Sequence, residues 1–366
     1  MSGFNSSRLV LARQRRRLTK KALAEAAGLD PKSIQRHEAG DGNDPSPATL
    51  EAIARALNYP IEFFTGHDLY SPQPDAVSFR ALSMISARDR AAAIAAAALA
   101  TQVMDWVESH FELSPVDMPD YKESRNPEVS ARALRERWGL GEAPVRNMVH
   151  LLESKGVKVF SLRENAHAVD AFSLWRRDVP YAFLNTFKTP ERSRFDAAHE
   201  LGHLVLHRHA GTQGEKAAEA DADAFASAFL MPADDVRARL PRVLSLDDVI
   251  EAKLRWRVSA MALIYRLNKL QLITPWQYRT LCIQLNERYG RKEPNGIERE
   301  VSFVWEKVTN SLKHLGLNKH RLAAKLALPV QELESLWFQL TPIQGLEGGA
   351  SVHGKSRAKL SLVPSS

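Results

Sequence analysis

The chain has a single cysteine in 366 residues, Cys282. One thiol excludes an intramolecular disulfide framework and any cysteine-rich zinc or iron–sulfur site, so Cys282 is read as a small buried residue. Long apolar runs are also missing. The N-terminus carries Arg8 but nothing resembling a secretory signal. The richest apolar segment, AAAIAAAALA, is too short for a membrane span and is flanked by Arg88, Asp89, Arg90 and Asp105. No membrane partner and a cytoplasmic location are therefore expected. What the chain does have is ordinary globular composition, 44% hydrophobic and 25% charged, which is against global disorder. Its length suggests two or three domains.

The net charge of +7 is unevenly spread. Residues 1–40 hold nine basic residues (Arg8, Arg13, Arg15, Arg16, Arg17, Lys20, Lys21, Lys32 and Arg36) against Glu25, Asp30 and Glu38, which is +6. The last sixteen residues add three cations and no acid, leaving the middle at −2. A basic head on a near-neutral body points to a polyanion at the head only.

The head reads as helices. Leu9, Ala12 and Leu18 mark one apolar stripe, and Leu23, Ala24 and Ala27 a second. Thr19 suits an N-cap and Gly28 a helix end. Asp30 then caps a third helix with Pro31 at its first position. Leu50, Ile53, Ala54 and Leu57 supply a closing helix. Helix, glycine turn and capped helix is a layout that reads DNA; a basic hairpin docking on protein is the alternative. The run LTKKALAEAAGLDPKSIQRHEAG resembles the helix-turn-helix of the Xre/Cro repressor family. That resemblance implies that Lys32, Ser33 and Arg36 face the major groove, Ile34 packs inward and Lys20 approaches phosphate. Double-stranded operator DNA is the implied partner, and a homodimer on paired half-sites is open. His37 departs from the family, which has an apolar residue there.

Ser71 to Asp75 reads as a linker, and an Ala-rich helix follows over 86–112. Residues 114–126 read as a loop and 127–155 as helical. After Gly156 the pattern changes to strands at 157–162, 171–175 and 181–185, a small antiparallel sheet. Thr189 and Pro190 then open a helix that contains His199-Glu200-Leu201-Gly202-His203.

Two histidines four residues apart lie on one helix face and can grip one ion, for which zinc is the default. Glu200 beside them can take a proton from water that the metal has acidified. The helix from 215 to 231 places Glu219 and Asp223 on one face. Glu219 is assigned as third ligand, and Asp223 as the acceptor that orients a ligating imidazole. A solvated acidic face is the alternative for that helix. His207 and His209 are candidates to stabilise the transition state, or surface histidines at a helix C-terminus. The strand 181–185 could receive an extended peptide by strand addition.

FDAAHELGHLVLH, the ExxADxFAxxFLMP run from Glu219 and VSAMALIYRL from Val258 together resemble the ImmA/IrrE-like zinc metallopeptidases. His199, Glu200, His203 and Glu219 fall on that family's metal and catalytic positions. The resemblance implies a zincin-like domain, bound Zn2+, and a protein substrate such as an Xre-type repressor, with release of stress-response or mobile-element genes. Residues 322–337 echo 23–38 but carry Gln331, Glu332 and Ser335 in place of groove-facing cations. They read as a degenerate helix-turn-helix used for packing or partner contact.

The expected fold is α+β and mostly helical. The expected domains are 1–70 for DNA binding, 71–125 for linker and Ala-rich helix, 126–290 for the metallopeptidase, 297–344 for a C-terminal helical bundle, and 345–366 as a disordered tail. The leading function is a DNA-binding regulator with zinc endopeptidase activity. An antitoxin-like repressor whose zinc domain senses without cleaving, and a zinc hydrolase acting on something other than protein, are the alternatives.

Overall fold

The computed structural model describes residues 3–41, 44–72, 77–79, 86–121, 126–162, 171–208, 215–243, 245–314 and 316–341. The expected disordered tail and His209 lie outside them.

Local chemistry sets the first four helices. The Asn5 side chain accepts from the N–H groups of Ser7 and Arg8 to start α1 (Ser6–Arg15). Thr19 caps α2 (Lys20–Ala27), which ends at Gly28 with φ +66°, a conformation glycine adopts without strain. Asp30 caps α3 (Pro31–Ala39), with Pro31 in the first turn. Ser46 caps α4 (Pro47–Leu57), which closes a bundle on Leu9, Leu23, Ile34, Ile53 and Leu57, all buried.

A short strand, β1 (Val77–Phe79), follows the expected linker 71–75, of which residues 73–75 lie outside the described residues. The Ala-rich helix α5 (Ala87–Glu108) is buried along Ala92, Ala93 and Ala95 to Ala100. Small side chains let it lie against α1 on one side and the sheet on another. It is an intramolecular bridge between head and body.

The expected helical stretch 127–155 is split into α6 (Pro127–Arg137) and α7 (Met148–Ser154), with Gly139 and Gly141 at positive φ between them. Three strands follow: β2 (Lys158–Leu162), β3 (Ala171–Arg176) and β4 (Val179–Asn185). The sheet order is β1-β3-β4-β2. β3 pairs antiparallel with β1 and β4, whereas β2 and β4 are parallel. The sheet is thus mixed rather than antiparallel. The tight β3–β4 hairpin returns β4 between β3 and β2, so β2 meets the strand running its own way.

The strands β2 to β4 are buried at most positions, which fits a sheet covered on both faces. On one face Phe172 and Phe183 stack at 4.4 Å, and Phe160 lies 5.6 Å from Phe183. The other face, to which Ser173 points, meets α8 (Pro190–Leu206). Against α8 lies α9 (Glu215–Leu230). The body continues through α10 (Ala233–Arg239), α11 (Leu246–Trp256), α12 (Ala260–Lys269) and α13 (Pro275–Tyr289). Cys282 is partly rather than fully buried, 3.8 Å from the Met261 sulfur, because α13 is covered on one side only.

The segment after α13 is tied to the body. Glu293 accepts from the Ala260 N–H at 2.8 Å, and Glu300 accepts from the Met148 N–H at 2.8 Å while pairing with buried Arg194. Glu153 accepts from Ser302 and from the N–H groups of Phe303 and Val304, which open α14 (Phe303–His314). Two short helices follow, α15 (Lys319–Lys325) and α16 (Val330–Leu336). Trp305 meets Phe160 edge-on and lies tilted against Trp337, so this bundle covers the aromatic face of the sheet. The architecture is α+β and mostly helical. Among the described residues no helix is long and apolar enough to cross a membrane.

Candidate metal centre and nucleic-acid interface

Thr189 caps α8 through the Arg192 N–H and Pro190 occupies its first turn. Two turns later the helix presents His199 and His203 on one face. Gly202 lies on the α9 side, where a Cβ would come within 3.2 Å of the Ala222 Cα and of the Phe225 ring. Glycine at this close approach, with alanines opposite, draws the two helices together until Glu219 reaches both imidazoles.

The donor atoms converge. His199 Nε2 and His203 Nε2 are 3.0 Å apart, and the Glu219 carboxylate lies 3.3 Å from the first and 3.2 Å from the second. A tetrahedral ion with bonds of about 2.0–2.1 Å needs donors about 3.3–3.4 Å apart. The observed separations fit that within a few tenths of an ångström, so these three residues could hold a metal.

The ring nitrogens facing away from the site are also engaged. His199 Nδ1 meets Asp223 Oδ1 at 2.9 Å, the place expected for an orienting carboxylate. His203 Nδ1 meets His207 Nδ1 at 3.0 Å. His207 therefore stands behind His203, on the far side of that ring from the other donors.

The electrostatics suit a cation. Burial alone would push Glu219 up, but hydrogen bonds from the two histidines bring its carboxyl down to about 2. Burial lowers His203 and, helped by the neighbouring His203, takes His207 down to about 4. An ionised carboxylate and neutral imidazoles are the forms that coordinate metal. Glu200 is different: burial pushes it up to about 8 despite His199 and Ser173. Its Oε2 accepts from the Ser173 hydroxyl at 2.7 Å, and its Oε1 is buried with no partner among the described residues.

Ser173 was not singled out from sequence. The available signal was one hydroxyl within the apolar run AFSLW, since a buried polar group in a strand calls for a partner.

In the head, Lys32 and Arg36 are exposed on α3, Ser33 is half-buried and Ile34 is buried. Arg36 donates to the Ser33 hydroxyl at 3.3 Å. Gln35 shares this exposed face and escaped the sequence reading, although an exposed amide on such a helix suits adenine. Lys20 is exposed and lies 3.2 Å from Glu38. His37 packs edge-on against Phe4 at 6.2 Å.

The arginine run does not face outward as the charge count suggested. Arg13 pairs with Glu38, Arg15 and Arg16 with Glu332, and Arg17 with Asp89. Arg8 stacks on Phe63 and donates to the His67 carbonyl. The exposed cations on α2 and α3 are Lys20, Lys21, Lys32 and Arg36.

Residues 9–64 match the helix-turn-helix family, and residues 152–268 match the peptidase M78 family, described as the IrrE N-terminal-like domain. No curated protein matches the chain. The chain thus joins an Xre-type helix-turn-helix domain to an IrrE/ImmA-like domain of the metallopeptidase type.

Proposed function

We propose that the protein is a DNA-binding regulator with zinc-dependent endopeptidase activity, acting on a repressor or other partner protein that controls stress-response or mobile-element genes. The observation that carries this reading is the near-tetrahedral spacing of His199, His203 and Glu219 with Glu200 directly beside them. A purely structural metal site has no use for a buried carboxylate without a full set of partners.

His199, His203 and Glu219 would hold Zn2+, and the chemistry it would supply is Lewis acidity toward water and the scissile carbonyl. Asp223 and His207 fix the two imidazoles by their outward nitrogens. Ser173 holds one oxygen of Glu200, leaving the other free to act. With a cation held beside it, Glu200 would ionise despite the burial that raises it, and its carboxylate takes the proton of the attacking water and passes it to the leaving amine as the peptide bond breaks. The head places this activity at an operator: Lys32, Ser33 and Arg36 read base edges, and Lys20 meets phosphate.

The test uses the full chain, zinc-loaded, with Xre-type repressors encoded beside it. Operator shift assays before and after incubation report whether each repressor is released. Release that needs zinc, and that stops on chelation, supports the reading. Repressors that stay intact and operator-bound in every case overturn it.

A further inference from the structure

Strand addition to β4, expected from its place before α8, is excluded because β4 pairs on both sides, with β3 and with β2. The strand next to the reacting groups is β3. Its Ser173 donates to Glu200 at 2.7 Å, and its inner side is taken by β4. Among the described residues its outer side is therefore the backbone edge beside the site that an extended peptide could use. That edge is filled by the chain itself: β1 pairs antiparallel with it, Val77 opposite Leu174, Ser78 opposite Ser173 and Phe79 opposite Phe172.

We propose that the outer edge of β3 is the peptide-binding edge of the site, that its ligands are extended peptides paired through their main chain, and that residues 77–79 are its resident, autoinhibitory occupant. Edge pairing uses backbone groups common to all sequences, so a segment of this chain and a segment of a substrate compete for the same N–H and C=O groups. Its position between the head and α5 makes the occupant part of the connection to the DNA-reading domain. This inference rests on the peptidase reading for its biological meaning, but occupancy of the edge is measurable without catalysis.

The experiment uses the full-length protein, stripped of metal so that nothing is cleaved, and a fluorescein-labelled peptide of residues 73–83. In the wild type, hydrogen exchange at the β3 amides that face β1 should be slow with no ligand added; fast exchange there overturns the proposal, whatever the variants do. Ser78→Pro and Phe79→Pro are then compared, since N–H groups alternate along a strand and one of the two points at β3. One variant should expose the β3 amides and bind the peptide at least ~10-fold more tightly than the wild type, with protection restored at saturation. Unchanged protection in both variants, or equal peptide affinity in all three proteins, overturns it. Should the peptide bind as expected while the zinc-loaded variant hydrolyses neither it nor any repressor, the edge stands and the peptidase reading fails.

Discussion

Glu332 lies 2.8 Å from Arg15 although 317 positions separate them in the chain. The same carboxylate takes Arg16 at 2.7 Å and the Tyr59 hydroxyl at 3.3 Å, and all of it but a sliver is buried. The residue stands where a helix-turn-helix would present a groove-facing side chain. Here that position grips the head instead, so the degenerate motif acts as a clasp between the last helices and the first. Removing one partner strands buried guanidinium groups, so Glu332→Ala should cost about 3–5 kcal/mol in chemical denaturation at pH 7. A loss below ~1 kcal/mol would show that the clasp is not holding the head.

The clasp also sets an acid limit. Burial raises the Glu332 carboxyl, but Arg15 and Arg16 outweigh it and the net direction is down from 4.5. Its contribution is therefore present above pH ~4.5 and lost as pH falls below it. Wild-type stability should drop through that acid range, and the Glu332→Ala protein should drop less.

Glu153 works in the opposite sense. Burial raises it to about 7, against the hydrogen bonds it accepts from Ser302 and the N-terminus of α14. The folded protein keeps a proton that the unfolded chain gives up near 4.5, so stability falls as pH rises from there to about 7. Glu153→Gln should flatten that part of the stability profile. A wild-type profile already flat from pH 5 to 7 would contradict the assignment.

Metal affinity should follow the contacts at the site. His203→Ala and Glu219→Ala should abolish tight zinc binding in competition with a chromophoric chelator. Asp223→Asn keeps every ligand yet loses the carboxylate behind His199, and should bind zinc about 10–100-fold more weakly. Wild-type affinity in Asp223→Asn would place Asp223 among solvated surface acids.

At the head, Arg36→Ala should relax operator specificity at a cost of about 1–3 kcal/mol, whereas Lys20→Ala should weaken all sequences alike and lower the salt slope by about 1. Arg15→Ala should destabilise the fold and leave the salt slope unchanged. If Arg15 contributed to the slope, the arginine run would be facing DNA after all.

Features written in local sequence were legible. Thr19, Gly28, Asp30 and Pro31 bound helices because caps and positive φ act within one turn. His199 and His203 share a face because they are four residues apart, and α9 supplied Glu219 and Asp223 from its own spacing. What stayed hidden depends on chain packing over long separations. Ser173 meets Glu200 only once β3 lies under α8, β2 becomes parallel to β4 only once the hairpin has closed, and Glu332 finds Arg15 only once both ends of the chain are in place. The charge count failed for the same reason, since a list of arginines does not say which already have an acid.

The central claim, hydrolysis at a His–His–Glu metal centre with Glu200 as base, is tested most directly by mass spectrometry. The zinc-loaded wild type and its Glu200→Gln form are each incubated with the neighbouring Xre-type repressors. The account expects new fragments, cut at one internal bond with a gain of one water, from the wild type, and a rate lower by about 10²–10⁴ in Glu200→Gln, which still binds zinc and operator. Repressors left whole by both forms and also by the zinc-loaded Ser78→Pro and Phe79→Pro proteins, or cut equally by the wild type and Glu200→Gln, would contradict it.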